Sequence, residues 1–310
     1  MEVNSFMKWR KSGLKKIIFM LIVLIVGTVH GENITYKKNK KILTSIQSVY
    51  SIAKSLTKDT DIEVYSIFDS DVSMDYGKSA FDNKDLDLSS AKDAVAVVDV
   101  AKIWHNDYLY EYARRKNIRI VEIDASYSFS GNDYLSLSLL NYKNGDRNPY
   151  VWMSFQNVIK MANIVSDDLS ELFPEDGKKI EDNLEKFSQE IKKIENEYLE
   201  KTLALSSLSV ITLTENLDYL FNDLNIFFNY VDSNEITVEK ISEVMKRSNS
   251  KIFISDRWIK KEIINEIEKK GGKFLVLDNF NIPRELNEKM DPDGYLKGMK
   301  ENMEKLVEAM

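Results

Sequence analysis

The chain has 310 residues, 43% of them apolar and 30% charged, with a net charge of −7 and no cysteine. That size and balance suit one large globular domain or two lobes. The missing cysteines exclude disulfides, and the surplus of acid argues against nucleic acid, whose phosphates require clustered Lys and Arg.

The N-terminus differs from the rest. Lys8, Arg10, Lys11, Lys15 and Lys16 precede a mostly apolar run over 17–29, and Gly31 follows. A basic head, a short apolar core and a small-residue exit predict a secretory signal over 1–31, hence a periplasmic or cell-envelope protein. The run falls short of the roughly 20 residues of a membrane span, and an uncleaved membrane anchor is the alternative. Without cysteine, no lipid can be attached through a thiol. The segment carries five basic residues and one acid, so its removal takes the net charge from −7 to −11.

Downstream, short apolar runs alternate with helical patterns. Strands are predicted at 42–45, 62–67, 94–98 and 118–123, with helices over 46–56 and 108–116. Continuous apolar runs such as Ala94-Val95-Ala96-Val97-Val98 mark strands buried on both faces, as in a parallel sheet covered by helices. A helix over 154–172 follows. A longer one over 176–205 carries the stripe Ile180, Leu184, Phe187, Ile191, Ile194 and Tyr198, one face of an α-helix. At 1.5 Å per residue it spans roughly 45 Å, enough to bridge two bodies. The alternation then resumes, with strands at 208–213, 226–230, 252–254 and 273–277 and helices over 215–223, 238–248 and 259–270. Gly271-Gly272 stops the last of these, because glycine takes the left-handed cap at little cost. An amphipathic helix over 295–310 closes the chain. The expected architecture is α/β, with two lobes, each a parallel sheet flanked by helices, joined by one long rigid helix. The boundaries are 1–31 for the signal, 32–173 for the first lobe, 174–206 for the connecting helix and 207–310 for the second lobe. Ligands of such sheets bind beyond the carboxyl ends of the strands, which places the expected site in a cleft between the lobes.

The candidates for chemistry are few. His30 and His105 are the only histidines, so most nucleophilic triads are excluded. His30 falls in the signal, and His105 reads as a helix-end or surface residue. No glycine spacing matches a phosphate loop. The run Asp69-Ser70-Asp71-Val72-Ser73, after a strand, resembles the nucleophile loop of haloacid dehalogenase-type phosphatases. There one carboxylate attacks phosphorus and the second acts as acid and base, with magnesium held by a later acidic pair. The pair here, Asp167-Asp168, falls inside an amphipathic helix, so the phosphatase stands third among the readings.

Five stretches carry a family resemblance. Asn148-Pro149-Tyr150-Val151-Trp152-Met153 resembles the Asn-Pro-His-Val-Trp-Leu element of bacterial zinc- and manganese-binding proteins that serve ABC importers. Ser73-Met74-Asp75-Tyr76 is similar to their Pro-His-Asp-Tyr loop. Residues 210–220 resemble the strand-to-helix turn bearing their third ligand, and Phe274-Leu275-Val276-Leu277-Asp278 their last strand with its terminal aspartate. The ending, 295–310, resembles their last helix. The resemblance covers nearly everything after residue 40 and implies an exported solute-binding protein, not an enzyme, acting as a monomer. Its partners would be a membrane permease and a metal ion or small ligand, with a divalent metal ion as the implied cargo.

The resemblance puts Met74, Tyr150 and Thr214 where the family has histidine or, at the third, histidine or glutamate. Only Asp278 matches a liganding type. Zinc favours imidazole, thiolate and carboxylate, so a family-type zinc site is not expected. The cleft set is Met74, Asp75, Tyr150, Thr214 and Glu215, with Asp278 as the one metal ligand carried over. Asp75, Glu215 and Asp278 suit a harder cation such as Mn²⁺ or Ca²⁺. A Tyr150 phenolate would suit ferric iron, at the cost of ionising a phenol whose ordinary pKa is about 10. Remaining alternatives are an organic ligand, an empty cleft packed by these side chains, or an interaction protein without transport on the same fold.

Overall fold

A computed structural model describes residues 39–68, 72–83, 86, 88–128, 135–203 and 208–309. The predicted signal with His30, and the Asp69–Asp71 part of the phosphatase-like run, lie outside the described residues. Among the described residues no helix is long and apolar enough to cross a membrane.

The first sheet is built from β1 (Lys41–Thr44), β2 (Glu63–Ser66), β3 (Ala96–Asp99) and β4 (Val121–Asp124) in the order β2-β1-β3-β4, all parallel. Its helices are α1 (Gln47–Leu56), α2 (Lys78–Phe81) and α3 (Leu109–Arg114). Then come α4 (Phe155–Leu172) and the long α5 (Gly177–Thr202). The second sheet repeats the first: β5 (Ser209–Thr212), β6 (Phe227–Tyr230), β7 (Ile252–Ser255) and β8 (Lys273–Val276) lie parallel in the order β6-β5-β7-β8. They are flanked by α6 (Asp218–Asp223), α7 (Ile241–Ser248) and α8 (Lys261–Lys269). A small hairpin, β9 (Glu285–Leu286) and β10 (Lys289–Met290), precedes α9 (Gly294–Ala309). The two-lobed α/β architecture with a long helix between the lobes is the expected one.

Strand alternation explains the layers. Leu43 and Val97 face an outer cluster with Leu109 and Ala113, while Ile42 and Val98 face inward. In the second sheet Ile211 and Phe253 face outward, and Val210 and Ile254 inward. The inward residues of both sheets belong to one continuous core with α1, α4, α5 and α9. The long helix is therefore more than a strut, packing along α4, α9 and α1. Its predicted stripe is buried, except that Leu184 is only partly covered. The neighbouring Asn183 goes under instead and donates to the carbonyls of Leu56 and Lys58 at 2.9 and 2.8 Å, satisfying the open end of α1. Lys40 ties β1 to the same region, with Nζ 2.5 Å from Asp61 and from Asp176 and 3.1 Å from Glu175. Gly271 sits at φ 73°, the left-handed stop expected after α8.

Candidate functional site

The order of each sheet reverses beside its first strand, and the loops at the carboxyl ends there form the facing walls between the lobes. The first wall is the turn Met74–Tyr76, capped by Ser73, whose hydroxyl accepts the Asp75 N–H at 3.1 Å. Met74 is buried, and its N–H donates to the Asn281 carbonyl of the second lobe at 2.9 Å. Ser73 Oγ reaches Asn281 Oδ1 at 3.3 Å. The cavity left beside Met74, Ser45, Trp104 and Phe280 measures about 20 Å³, room for about one water.

Tyr150 enters from the turn Val151–Met153 that leads into α4. It is buried, packs against Trp152 at 5.3 Å, and its N–H donates to Asn148 Oδ1 at 3.0 Å. Burial holds its phenol well above the ordinary tyrosine range, with Asp75 and Asp256 pushing the same way and Arg257 opposing. A neutral phenol is the resting form, so this setting disfavours the phenolate that ferric iron would call on.

Thr214 and Glu215 lie at the carboxyl end of β5. Thr214 Oγ1 accepts the Asn216 N–H at 3.2 Å. Glu215 Oε1 accepts the Lys143 N–H at 2.7 Å, and its carbonyl takes the Asn148 amide at 2.8 Å. Asp75 is exposed, and His105 lies in an exposed turn before α3. Asp278 is engaged elsewhere: Oδ1 accepts the Phe280 N–H at 2.8 Å and Oδ2 the Arg284 guanidinium at 2.9 Å. Arg284 continues to Glu301 at 2.6 Å. The carboxylate carried over as a metal ligand thus has an internal cation. The loop folds back where Phe280 adopts φ 63°, strained for a bulky residue and held by tilted ring packing against Tyr295 at 4.7 Å.

Sequence reasoning missed the centre of the cleft. Asp256, at the carboxyl end of β7, has a side chain only 2% exposed. Its Oδ2 accepts Asn216 at 2.7 Å and Asn279 at 2.9 Å, and its Oδ1 accepts Arg257 at 3.2 Å. Asn279 Oδ1 takes the Asn281 N–H at 2.9 Å, and Tyr142 donates to Asn216 Oδ1 at 2.8 Å. One chain of hydrogen bonds thus runs from Ser73 and Met74 through Asn281, Asn279, Asp256 and Asn216 to Thr214. The loops of Met74, Tyr150, Thr214 and Asp278 converge, but amides and direct bonds fill the space between them. The signal for Asp256 was its place, an acid directly after an apolar strand.

Outside this seam the cleft opens into a hollow of about 540 Å³, lined in part by Tyr142, Lys143, Glu215, Asp232, Asp256 and Arg257. Lys143 Nζ sits 3.9 Å above the Tyr230 ring, a cation–π contact. A thioether, a neutral phenol and an engaged hydroxyl do not replace three imidazoles for zinc. The oxygens at the mouth suit harder cations.

Three folds compare closely with this one. The solute-binding protein FpvC of Pseudomonas aeruginosa in complex with Mn²⁺ superposes with a TM-score of 0.68 at 17% identity, covering 88% of this chain and 98% of that one. The Zn(II)-bound ZnuA-like domain of Streptococcus pneumoniae AdcA gives 0.66 at 17% identity, over 87% and 98% of the two chains. The metal-dependent lipoprotein YcdH of Bacillus subtilis gives 0.67 at 16% identity, over 87% and 98%. At these identities the likeness carries the fold alone. No curated protein matches the chain in sequence. Residues 42–309 match the family described as zinc-uptake complex component A, periplasmic. With that match spanning both sheets and the helices between them, the chain belongs to the ZnuA family.

Proposed function

We propose that this chain is an exported solute-binding subunit of a metal-type ABC importer. It takes a hard divalent cation such as Mn²⁺ through oxygen donors of the interlobe cleft and hands it to a membrane permease. The observation that carries the reading is the mouth of the cleft: Glu215, Asp232 and Asp256 outnumber Lys143 and Arg257 there, and Asp75 acts on Tyr150 and Arg257 from the facing wall. Met74, Tyr150 and Thr214 form the packed floor. Asp278 contributes to the cation only if Arg284 releases it. Mn²⁺ and Ca²⁺ accept all-oxygen sets that zinc binds poorly. The shared core and the long packed helix favour small lobe movements over a wide hinge.

A second reading has its own support. The direct bonds between lobes, Met74 to Asn281 and Trp152 Nε1 to the Asn279 carbonyl at 3.0 Å, occupy the place where cargo would sit. A protein sewn shut in this way suits an envelope interaction partner that has lost transport. Thermal unfolding against a panel of cations separates the two, because a ligand of the folded state raises Tm in proportion to the logarithm of its concentration over Kd. A cation-dependent rise lost in Glu215→Gln supports cargo binding. A transition that neither cation nor chelator moves supports the interaction protein.

A further inference from the structure

A second acidic cluster lies in the first sheet, and none of its residues lines the cleft hollow. Asp99 ends β3 and Asp124 ends β4, directly paired in register, with Glu122 two residues earlier on the same face. One carboxylate oxygen from each of the three lies within 4.8 Å of the others. Asp99 and Asp124 are fully buried. Glu122 is half-buried on the edge strand, which leaves an approach from solvent.

The bonding of these groups is unequal. Asp124 is well satisfied: Oδ2 accepts the Lys102 N–H at 2.7 Å and Oδ1 the Ser126 N–H at 2.8 Å. The nearby buried Asp107 accepts Ser45 Oγ at 2.9 Å and the N–H groups of Leu109 and Val100 at 3.3 and 3.4 Å. Asp99 has only a long contact from the Ala101 N–H at 3.4 Å to Oδ1, and its buried Oδ2 has no partner among the described residues. A buried carboxylate oxygen without a donor is costly. Burial and the charges of Asp107, Asp124 and Glu122 all press Asp99 toward neutrality. Lys102 and Arg114 act on Glu122 at the rim. A single proton would discharge one of these acids. A divalent cation offsets two and gives Asp99 Oδ2 its missing partner.

We propose that Asp99, Glu122 and Asp124 form a hard divalent-cation site in the first lobe, distinct from the hollow beside Glu215, with Ca²⁺ as its occupant. Three carboxylate oxygens gathered within 4.8 Å of one another can close on one cation, and Ca²⁺ tolerates an irregular oxygen shell where Mg²⁺ demands a near-ideal octahedron. Waters entering past Glu122 complete the coordination. The cation welds the edge strand β4 to β3 and acts as a structural clamp on the sheet that carries the first cleft wall.

The test uses the full-length protein stripped with chelator and titrated with Ca²⁺ by calorimetry, with thermal unfolding alongside. With the cleft silenced by Glu215→Gln, the site predicts saturable binding of about one Ca²⁺ per chain and a Tm that climbs with Ca²⁺ more than with Mg²⁺. Asp99→Asn abolishes both effects and raises Tm in chelator, because it removes the buried charge. If Asp99→Asn folds poorly, Glu122→Gln on the half-exposed edge decides, with Ca²⁺ binding at least tenfold weaker. Glu215→Gln reports on cargo in the cleft and Glu122→Gln on this site, so the two readings fail separately. In a Glu215→Gln background, which silences the cleft, Ca²⁺ binding that survives Asp99→Asn or Glu122→Gln overturns the proposal. So does a wild-type protein indifferent to Ca²⁺ that gains stability only as pH falls, since the occupant is then a proton.

Discussion

Tyr219 is the most informative single residue between the lobes, and Tyr219→Phe isolates it. The ring is 2% exposed. Its hydroxyl, carried on α6 of the second lobe, accepts the Leu140 N–H at 2.8 Å and donates to the Asn148 carbonyl at 3.0 Å. Those two groups bracket the loop that delivers Tyr150 to the cleft. Phenylalanine keeps the ring and its packing and removes only the oxygen. The buried Asn148 carbonyl loses its donor, at a cost of about 1–3 kcal/mol, and the partly buried Leu140 N–H loses about 1 kcal/mol. The expected loss is about 2–4 kcal/mol, non-additivity included. Urea unfolding followed by far-UV circular dichroism reads it as a lower midpoint with an unchanged slope. Near-UV dichroism in buffer should stay native. A loss below about 0.5 kcal/mol would refute the reasoning, because the loop would then be held by packing rather than by this hydroxyl.

Two further outcomes follow from particular contacts. Gly298→Ala would put a Cβ 2.5 Å from Phe280 Cε1 and 3.2 Å from Arg284 Nη1; overpacking of about 1–3 kcal/mol outweighs the helix gain of about 1 kcal/mol, so Tm falls, and a stabilised variant contradicts this packing. Asp218 has a buried Oδ1 without a partner among the described residues, and burial with the Glu215 charge lifts its folded pKa from the ordinary 3.8 to about 7. A raised carboxyl pKa contributes stability that is full below about pH 4 and lost as pH climbs through about 7. Asp218→Asn should therefore be more stable than wild type at pH 8 and no better at pH 4; equal Tm differences at both values would show that the acid does not titrate on unfolding.

Much of the fold was legible because the signals were periodic. Runs such as Ala96 to Asp99 are buried on both faces, which only central parallel strands require. The predicted helices α4, α5 and α9 end within a few residues of their observed ends. The hairpin at Glu285–Leu286 and Lys289–Met290 was missed because its turn uses Asn287 and Glu288 at φ 54° and 64°, without the glycine that announces such turns. The convergence of the Met74, Tyr150, Thr214 and Asp278 loops could be inferred from the order of the motifs. What fills the space between them could not. Asp278 looked free because its partner, Arg284, is brought back by a loop through Phe280, and no periodicity encodes that backbone. Asp256 belongs to no motif, and the amides that make it a hub, Asn216 and Asn279, come from loops distant in sequence.

The most direct test of cargo capture without histidines is a Mn²⁺ titration of the full-length protein by calorimetry, run in a Glu122→Gln background to silence the first-lobe site. The account predicts saturable binding that Glu215→Gln weakens at least tenfold while near-UV dichroism stays native. No Mn²⁺ binding, or equal binding with and without the Glu215 carboxylate, would contradict it.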